Sequence, residues 1–128
     1  MSNITETAQS FFDACETGKA WIGCQQYCTP DSTFSSQADS LVNITTLSAY
    51  CDWMRDLLTV LSNVNYEIKS FGTDETRHNV AAFGVFTGTH FVDGVASPNG
   101  KKVVADYVYV MQFTNDKISH MTKIWHSK

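Results

Sequence analysis

The segment 101–126, KKVVADYVYVMQFTNDKISHMTKIWH, holds the residues best suited to acid–base chemistry. Asp106 lies in an otherwise apolar stretch, where a desolvated carboxylate is a candidate general base. The hydroxyl of Tyr109, assisted by that of Tyr107, could donate a hydrogen bond to a developing oxyanion. His120 is a second candidate base, because imidazole exchanges protons near neutral pH. These residue types fit proton abstraction, although each also has a structural interpretation in a core or on a sheet surface.

These candidates lie on a predicted β-hairpin, so the hairpin register decides which of them share a face. A two-residue loop at 115–116 places His120 on the face of Tyr109. A three-residue loop at 114–116 places Lys123 on that face instead. A shift of one residue exchanges the two faces of a strand, and the sequence leaves both registers open.

The rest of the chain supplies helices first and strands afterwards. Apolar residues at helical spacing predict helices over 5–17, over 21–27 and from 47 to the Ser62-Asn63 pair. Alternating patterns predict strands over 32–36, 65–71, 79–92 and 103–113 and a last strand after the hairpin turn. This order predicts a single domain over 1–128, of α+β class, with three N-terminal helices on one face of an antiparallel sheet.

Composition and charge restrict the possible partners and the location. The net charge of −4 disfavours nucleic acid, which rewards basic surfaces. No apolar run approaches the length of about 20 residues that spans a bilayer, and the first residues lack the pattern of a signal peptide. We therefore expect a cytoplasmic protein with no nucleic-acid or membrane partner. The strand 103–113 is largely apolar on both faces, which predicts a homodimer through the sheet.

The cysteines and histidines do not predict a metal site. His120 and His126 lie six residues apart on one strand, about 20 Å at the rise of a strand, and cannot share an ion. The four cysteines are expected to be reduced thiols that pack as small apolar residues: Cys15, Cys24, Cys28 and Cys51. No nucleotide-binding loop occurs either. We expect neither a metal nor another cofactor.

Three segments resemble a known family over nearly the whole chain. They are FFDACETGKAWIGCQQYCTPDSTF, ADYVYVMQF and KISHMTKIW. The order of helices and strands and these segments resemble the nuclear transport factor 2-like (cystatin-like) superfamily, and within it the SnoaL-like family related to polyketide cyclases and steroid isomerases. The resemblance implies a cone-shaped, curved sheet closed by three N-terminal helices, with a pocket inside the cone.

The resemblance excludes the steroid isomerase mechanism. Where those enzymes use a tyrosine, an aspartate base and an aspartic acid, this chain has Phe11, the polar run 35–37 and Tyr109. All three working groups are replaced. The same alignment turns Met121, Lys123 and Trp125 towards the cavity and favours the three-residue loop.

The expected function is binding of a small apolar or aromatic molecule in this pocket. Its expected lining is Phe11, Phe34, Tyr50, Trp53, Met54, Tyr107, Met111, Met121, Lys123 and Trp125. The reaction, if there is one, would resemble that of a polyketide cyclase or isomerase, with Asp106 or His120 as the base and Tyr109 at the oxyanion. The alternative is a non-catalytic module of the same fold that binds a ligand or forms a dimer.

Overall fold

Three helices precede a five-stranded sheet in the computed structural model, which describes residues 3–90 and 102–127. The helices are α1 (Ile4–Glu16), α2 (Ala20–Cys24) and α3 (Leu47–Leu58), and a 3₁₀ turn (Gln25–Tyr27) follows α2. The strands are β1 (Cys28–Ser36), β2 (Leu61–Asp74), β3 (Asn79–His90), β4 (Lys102–Thr114) and β5 (Lys117–Ser127). The predicted elements are confirmed, but β1 and β2 begin four residues earlier than predicted and α3 ends sooner. The predicted positions 91 and 92 of β3 lie outside the described residues.

The longer helices begin at capping residues and bury one face. The side chain of Asn3 accepts a hydrogen bond from the backbone N–H of Glu6, and that of Thr46 accepts one from Ala49. The apolar stripes of α1 and α3 then lie against the sheet. No helix within 3–90 and 102–127 is both long and apolar enough to cross a bilayer.

The strand order in the sheet is β1-β5-β4-β3-β2. The pairs β2–β3, β3–β4 and β4–β5 are antiparallel, as the hairpin patterns predict. β1 pairs in parallel with β5, so the sheet is mixed rather than wholly antiparallel. Helix α3 separates β1 from the other strands in the sequence, so no hairpin fixes its direction. The curved sheet and the three helices form the expected cone-shaped α+β fold.

The β4–β5 hairpin combines a two-residue turn with a β-bulge. Asn115, with φ of 56°, lies in the turn, and Phe113 pairs with Ile118. Ser119 is then an extra residue on β5, because the next pair joins Gln112 to His120. Both predicted registers are therefore wrong beyond the bulge, since neither includes an extra residue in the strand.

The bulge decides which side chains enter the interior. It sets Tyr109 opposite Lys123, so that the amine shares the face of the tyrosines. His120 points to the other face of β5, where it meets the hydroxyls of Thr33 and Ser35. The inner face predicted by the family resemblance is thus the observed one, although a bulge and not a longer loop produces it.

The inner face of the sheet needs a glycine to admit the ring of Tyr107. Gly84 on β3 pairs with Tyr107 on β4. A Cβ at Gly84 would lie 3.1 Å from the Tyr107 hydroxyl oxygen and 3.1 Å from the backbone oxygen of Glu67. Both distances are shorter than ordinary contacts, so a side chain at this position would displace the ring or the strand.

We therefore expect Gly84→Ala to lower the free energy of unfolding by about 1–3 kcal/mol, the usual cost of overpacking. Gly72→Ala is the matched control, because a Cβ there meets nothing within 4 Å. That variant should match the parent or exceed it slightly. Urea unfolding measures both, and equal midpoints for the two variants would show that Gly84 has no such packing role.

Candidate functional site

A directional series of hydrogen bonds crosses the interior between the helices and the sheet. The ammonium of Lys123 on β5 donates to the hydroxyl oxygen of Tyr50 on α3 at 2.8 Å. The hydroxyl of Tyr50 is hydrogen-bonded to that of Tyr109 on β4. Tyr109 in turn donates to the carboxylate of Glu16 at the end of α1. Each tyrosine has one hydroxyl proton, so every bond in this polar chain points from Lys123 towards Glu16.

The polar chain is almost completely removed from solvent. Glu16 is 2% exposed and Lys123 6%, and the two tyrosines are fully buried. A buried charge is costly unless a partner and hydrogen bonds compensate for it. Here the carboxylate and the ammonium have each other, through two hydroxyls, as compensation. The arrangement therefore stabilises a separated ion pair, or its neutral form, inside an apolar core.

Burial favours the uncharged forms of Glu16 and Lys123, the two ends of the polar chain. It raises the pKa of Glu16, against the opposing effects of the Lys123 charge and the Tyr109 hydrogen bond. It lowers the pKa of Lys123 to about 8, with the Glu16 charge acting in the other direction. The pKa values of Tyr50 and Tyr109 rise well above their usual value, again mainly because of burial. These shifts bring the pKa values of the carboxyl and the amine closer together.

Aromatic rings surround the amine of Lys123. Its Nζ atom lies 4.9–5.6 Å from the centroids of five rings, those of Tyr50, Trp53, Tyr107, Tyr109 and Trp125. Ring faces attract a cation at such distances, and more strongly when water is excluded. The rings thus offset part of the cost of burying the ammonium. They also form the apolar boundary of the site.

Tyr107 places a third hydroxyl beside the polar chain. Its ring stacks on Phe12 with centroids 6.0 Å apart. The hydroxyl is buried and has no partner at full hydrogen-bond geometry within the described ranges, but it lies close enough to the Glu16 carboxylate to interact with it. Burial raises its pKa, and the nearby charge of Glu16 adds to that effect. A neutral donor therefore lies beside the carboxylate.

The structure brings the predicted lining residues together. Phe34 stacks on Tyr50 with centroids 4.4 Å apart, and Trp53 meets Trp125 edge to face at 6.2 Å. The amine of Lys123 lies among the aromatic rings. The other predicted lining residues belong to the same buried cluster: Phe11, Met54, Tyr107, Met111 and Met121. These residues come from α1, α3 and three strands, so the cluster forms only when the cone closes.

Two of the predicted catalytic residues lie on the opposite face from Tyr109. Asp106 is on the outer face of β4, where its carboxylate lies 3.9 Å from Nδ1 of His126. The His120 ring is hydrogen-bonded to Thr33 at 2.7 Å, also on the outer face. Strand alternation separates Asp106 from Tyr109, and the bulge separates His120 from it. The structure therefore does not bring these two candidate bases to the aromatic interior.

Glu16 is the functional candidate that sequence reasoning missed. It lies four residues after Phe12 and eight after Ala8, on the buried stripe of α1. This spacing could have identified it, because a carboxylate in line with apolar helix positions must enter the core. It is the last residue of α1.

The comparisons with known proteins agree with this architecture. Residues 8–121 match a family model described as a SnoaL-like domain. No curated protein matches the sequence. The match covers most of the chain and confirms the resemblance drawn from the sequence.

Solved structures of low sequence identity share the fold. AclR from Streptomyces galilaeus, provisionally named a hydroxylase, has a TM-score of 0.73 at 19% identity, covering 98% of this chain and 79% of its own. An NTF2-like protein from Burkholderia thailandensis E264 has a TM-score of 0.74 at 13% identity, with coverages of 98% and 92%. A protein from Jannaschia sp. CCS1, provisionally named a SnoaL-like polyketide cyclase, has a TM-score of 0.73 at 15% identity. The match covers 95% of this chain and 84% of that protein.

The lowered pKa of Lys123 predicts a pH dependence of stability. The folded pKa of about 8 lies below the ordinary value of 10.5, so the folded protein binds fewer protons than the unfolded chain between these values. This group should therefore make folding more favourable as pH rises from 8 to 10.5, by on the order of 3 kcal/mol. Urea unfolding of the parent and Lys123→Met across this window measures the difference.

The difference between the two proteins is the relevant quantity, because the cysteines and tyrosines titrate in both. The free energy of unfolding of the parent should increase relative to that of Lys123→Met as the pH rises from 8 to 10.5. Carbon NMR of the lysine Cε resonance that is missing in Lys123→Met gives the midpoint directly. Two results together would show that the amine is solvated: a difference in unfolding free energy that does not change with pH, and an NMR titration midpoint near 10.5.

Proposed function

The chain belongs to the SnoaL-like domain family, and on that premise we propose that it binds a small apolar or aromatic molecule and removes a proton next to its carbonyl group. The guest lies between the helices and the inner face of the sheet. The single observation that supports this function is the buried polar chain from Lys123 to Glu16. A chain that only had to fold would gain nothing from placing a carboxyl and an amine in its core.

Glu16 is the base in this proposal. Its raised pKa makes it a better proton acceptor than a solvated carboxylate. When it takes a proton from the carbon next to the carbonyl, negative charge develops on the carbonyl oxygen. The hydroxyl of Tyr107, which lies beside Glu16, donates to that oxygen. Tyr109 becomes a second donor, because a protonated Glu16 no longer competes as strongly for its hydrogen bond.

The direction of the hydrogen bonds suits the return of the proton. Lys123 donates to Tyr50, and the series ends on Glu16. The ammonium stabilises the charge that the reaction creates, through the two hydroxyls that separate it from the carboxylate. The enolate then takes a proton at another carbon, as in an isomerase, or attacks a second carbonyl of the same molecule, as in an aldol cyclase.

Exchange of carbon-bound protons for deuterium tests the proposed reaction. The parent, incubated in deuterium oxide with a panel of aryl ketones and 1,3-diketones, should speed exchange next to the carbonyl of at least one compound. The exchange rate of Glu16→Gln should be at least about 100-fold lower, because a general base usually contributes a rate factor of this size. Proton NMR of the recovered compounds measures the exchange.

Two variants on the outer face serve as controls and distinguish this assignment from the one suggested by sequence. Asp106→Asn and His120→Asn should exchange at the parental rate. If either one loses exchange while Glu16→Gln keeps it, the base lies on the outer face and the assignment to Glu16 is wrong.

Non-catalytic binding is the second candidate, and one observation favours it. The hydroxyl protons of Tyr50 and Tyr109 already have acceptors within the protein. A guest could therefore rest on the rings without engaging the polar chain. Quenching of tryptophan fluorescence by panel compounds, with no deuterium exchange of any compound, would identify the protein as a binding module.

A homodimer through the outer face of the sheet is also part of the proposal. Phe83, Val108 and Ile124 pair in one row across β3, β4 and β5 on that face. Phe83 is 36% exposed and Ile124 52%. Such an exposed apolar row supports contact with a second copy.

Light scattering should accordingly give twice the chain mass of 14.3 kDa. Ile124→Lys introduces a charge into the row and should return the mass of one chain, while the far-UV circular dichroism spectrum stays parental. A parent that scatters as one chain at micromolar concentration would contradict the dimer.

We also propose a cytoplasmic location. All four cysteines are free and buried, although Cys15, Cys24 and Cys51 lie close together. Thiols so close to one another persist unpaired most readily in a reducing compartment.

A further inference from the structure

Three cysteines that are distant in sequence meet between the helices. Cys15 lies on α1, Cys24 on α2 and Cys51 on α3. Their sulfur atoms all lie within 4.8 Å of one another, and all three side chains are fully buried. Ligand spacing within one helix or strand cannot reveal this cluster, because its three members lie on three different helices. We call Cys15, Cys24 and Cys51 the thiol cluster.

The thiol cluster has the dimensions of a three-coordinate site for a soft ion. With a bond of about 2.3 Å to each sulfur, three sulfurs around one centre lie about 3.5–4 Å apart. The observed separations of up to 4.8 Å therefore require a contraction of at most about 1.3 Å, which side-chain rotation supplies. Thiolates prefer soft ions over hard ones.

The charge of the complex selects among soft ions. Zinc prefers four ligands, and the thiol cluster supplies three. With three thiolates, zinc would leave one negative charge in the core and monovalent copper would leave two. A buried net charge is costly. Trivalent arsenic completes its valence with three sulfurs, and the resulting complex is neutral.

The neighbouring carboxylates strengthen the preference for a neutral complex. Glu16 follows Cys15 in α1, and Asp52 follows Cys51 in α3, so two carboxylates flank the thiol cluster. Both carboxylates would repel an anionic complex and leave a neutral one undisturbed. Of the soft ions considered, only the trivalent one satisfies the coordination number, the burial and the surrounding charge together.

We propose that the thiol cluster binds trivalent arsenic, or a thiophilic ion of the same valence, through all three sulfurs. Three sulfur–arsenic bonds form and three arsenic–oxygen bonds of arsenous acid break. The three thiol protons leave with the hydroxyl groups as three molecules of water. No atom changes its oxidation state, so the reaction needs no oxidant or reductant.

The short helix α2 carries Cys24 and borders the buried sulfurs. It has five residues, and its N-cap Lys19 makes no side-chain hydrogen bond, although the N–H of Trp21 donates to the carboxylate of Asp52 on α3 at 3.1 Å. The backbone enters it through two left-handed residues, Gly18 with φ of 78° and Ala20 with φ of 61°. A left-handed alanine is strained. Displacement of α2 would break the bond to Asp52 and expose the thiol cluster.

Addition of sodium arsenite to the reduced, full-length protein tests the site. Native mass spectrometry should show one arsenic bound per chain, with the loss of three protons. X-ray absorption at the arsenic edge should show three sulfur neighbours and no oxygen neighbour. This second measurement uses the parent protein alone, so it decides the coordination even if a cysteine variant fails to fold.

The fourth cysteine is the matched control. Cys28 is buried nearby, but its thiol donates to the backbone oxygen of Cys24 and does not belong to the thiol cluster. Cys28→Ala should keep the adduct with three sulfurs, whereas Cys15→Ala and Cys51→Ala should lose it. Circular dichroism of each variant confirms that it is folded.

Several results would overturn the proposal. They are no adduct with the parent, an adduct that keeps an arsenic–oxygen bond, loss of the three-sulfur adduct in folded Cys28→Ala, or its retention in folded Cys15→Ala. Displacement of arsenic by equal concentrations of zinc or monovalent copper would show that charge does not select the ion. None of these results depends on whether the protein removes protons from a ketone.

Discussion

The burial of one carboxylate and one ammonium in the same core is the constraint on which the rest of this structure depends. Glu16 and Lys123 are too far apart to touch and too deep to be hydrated, so two tyrosine hydroxyls must join them. Each hydroxyl can donate only once, and this fixes the direction of the series. Removing any member would leave a buried polar group without its partner, which costs more than the hydrogen bond itself contributes.

A single unpaired residue determines whether that core can exist. Ser119 adds one position to β5 and shifts its pairing with β4, so that Lys123 faces inward and His120 outward. A regular two-residue hairpin would reverse these faces and place an imidazole among the tyrosines. The outward His120 instead joins a small polar group with Thr33 and Ser35 on β1. The bulge therefore places an imidazole on the outer surface and an amine in the interior within one strand.

The sequence predicted the periodic features well, because periodicity is a local property. The helices, the strands and the aromatic lining follow from patterns that span a few residues, such as the stripe of Phe11 and Phe12 on α1. The bulge was missed because an extra residue leaves the alternation on each side intact. Glu16 was missed because it ends the buried stripe of its helix, where acidic residues are usually solvated. The thiol cluster was missed because its members meet only through the packing of three helices.

Because every hydrogen bond of the polar chain is already made within the protein, the contacts left for a guest are limited. In the described structure Tyr50 and Tyr109 donate to protein acceptors, so a guest that only added apolar contacts would leave these bonds unchanged. Under the proposed function, a guest with a carbonyl beside Glu16 does more, because it offers the Tyr107 hydroxyl an acceptor and the carboxylate a proton. A better-satisfied buried hydroxyl would then favour carbonyl compounds over hydrocarbons of the same shape.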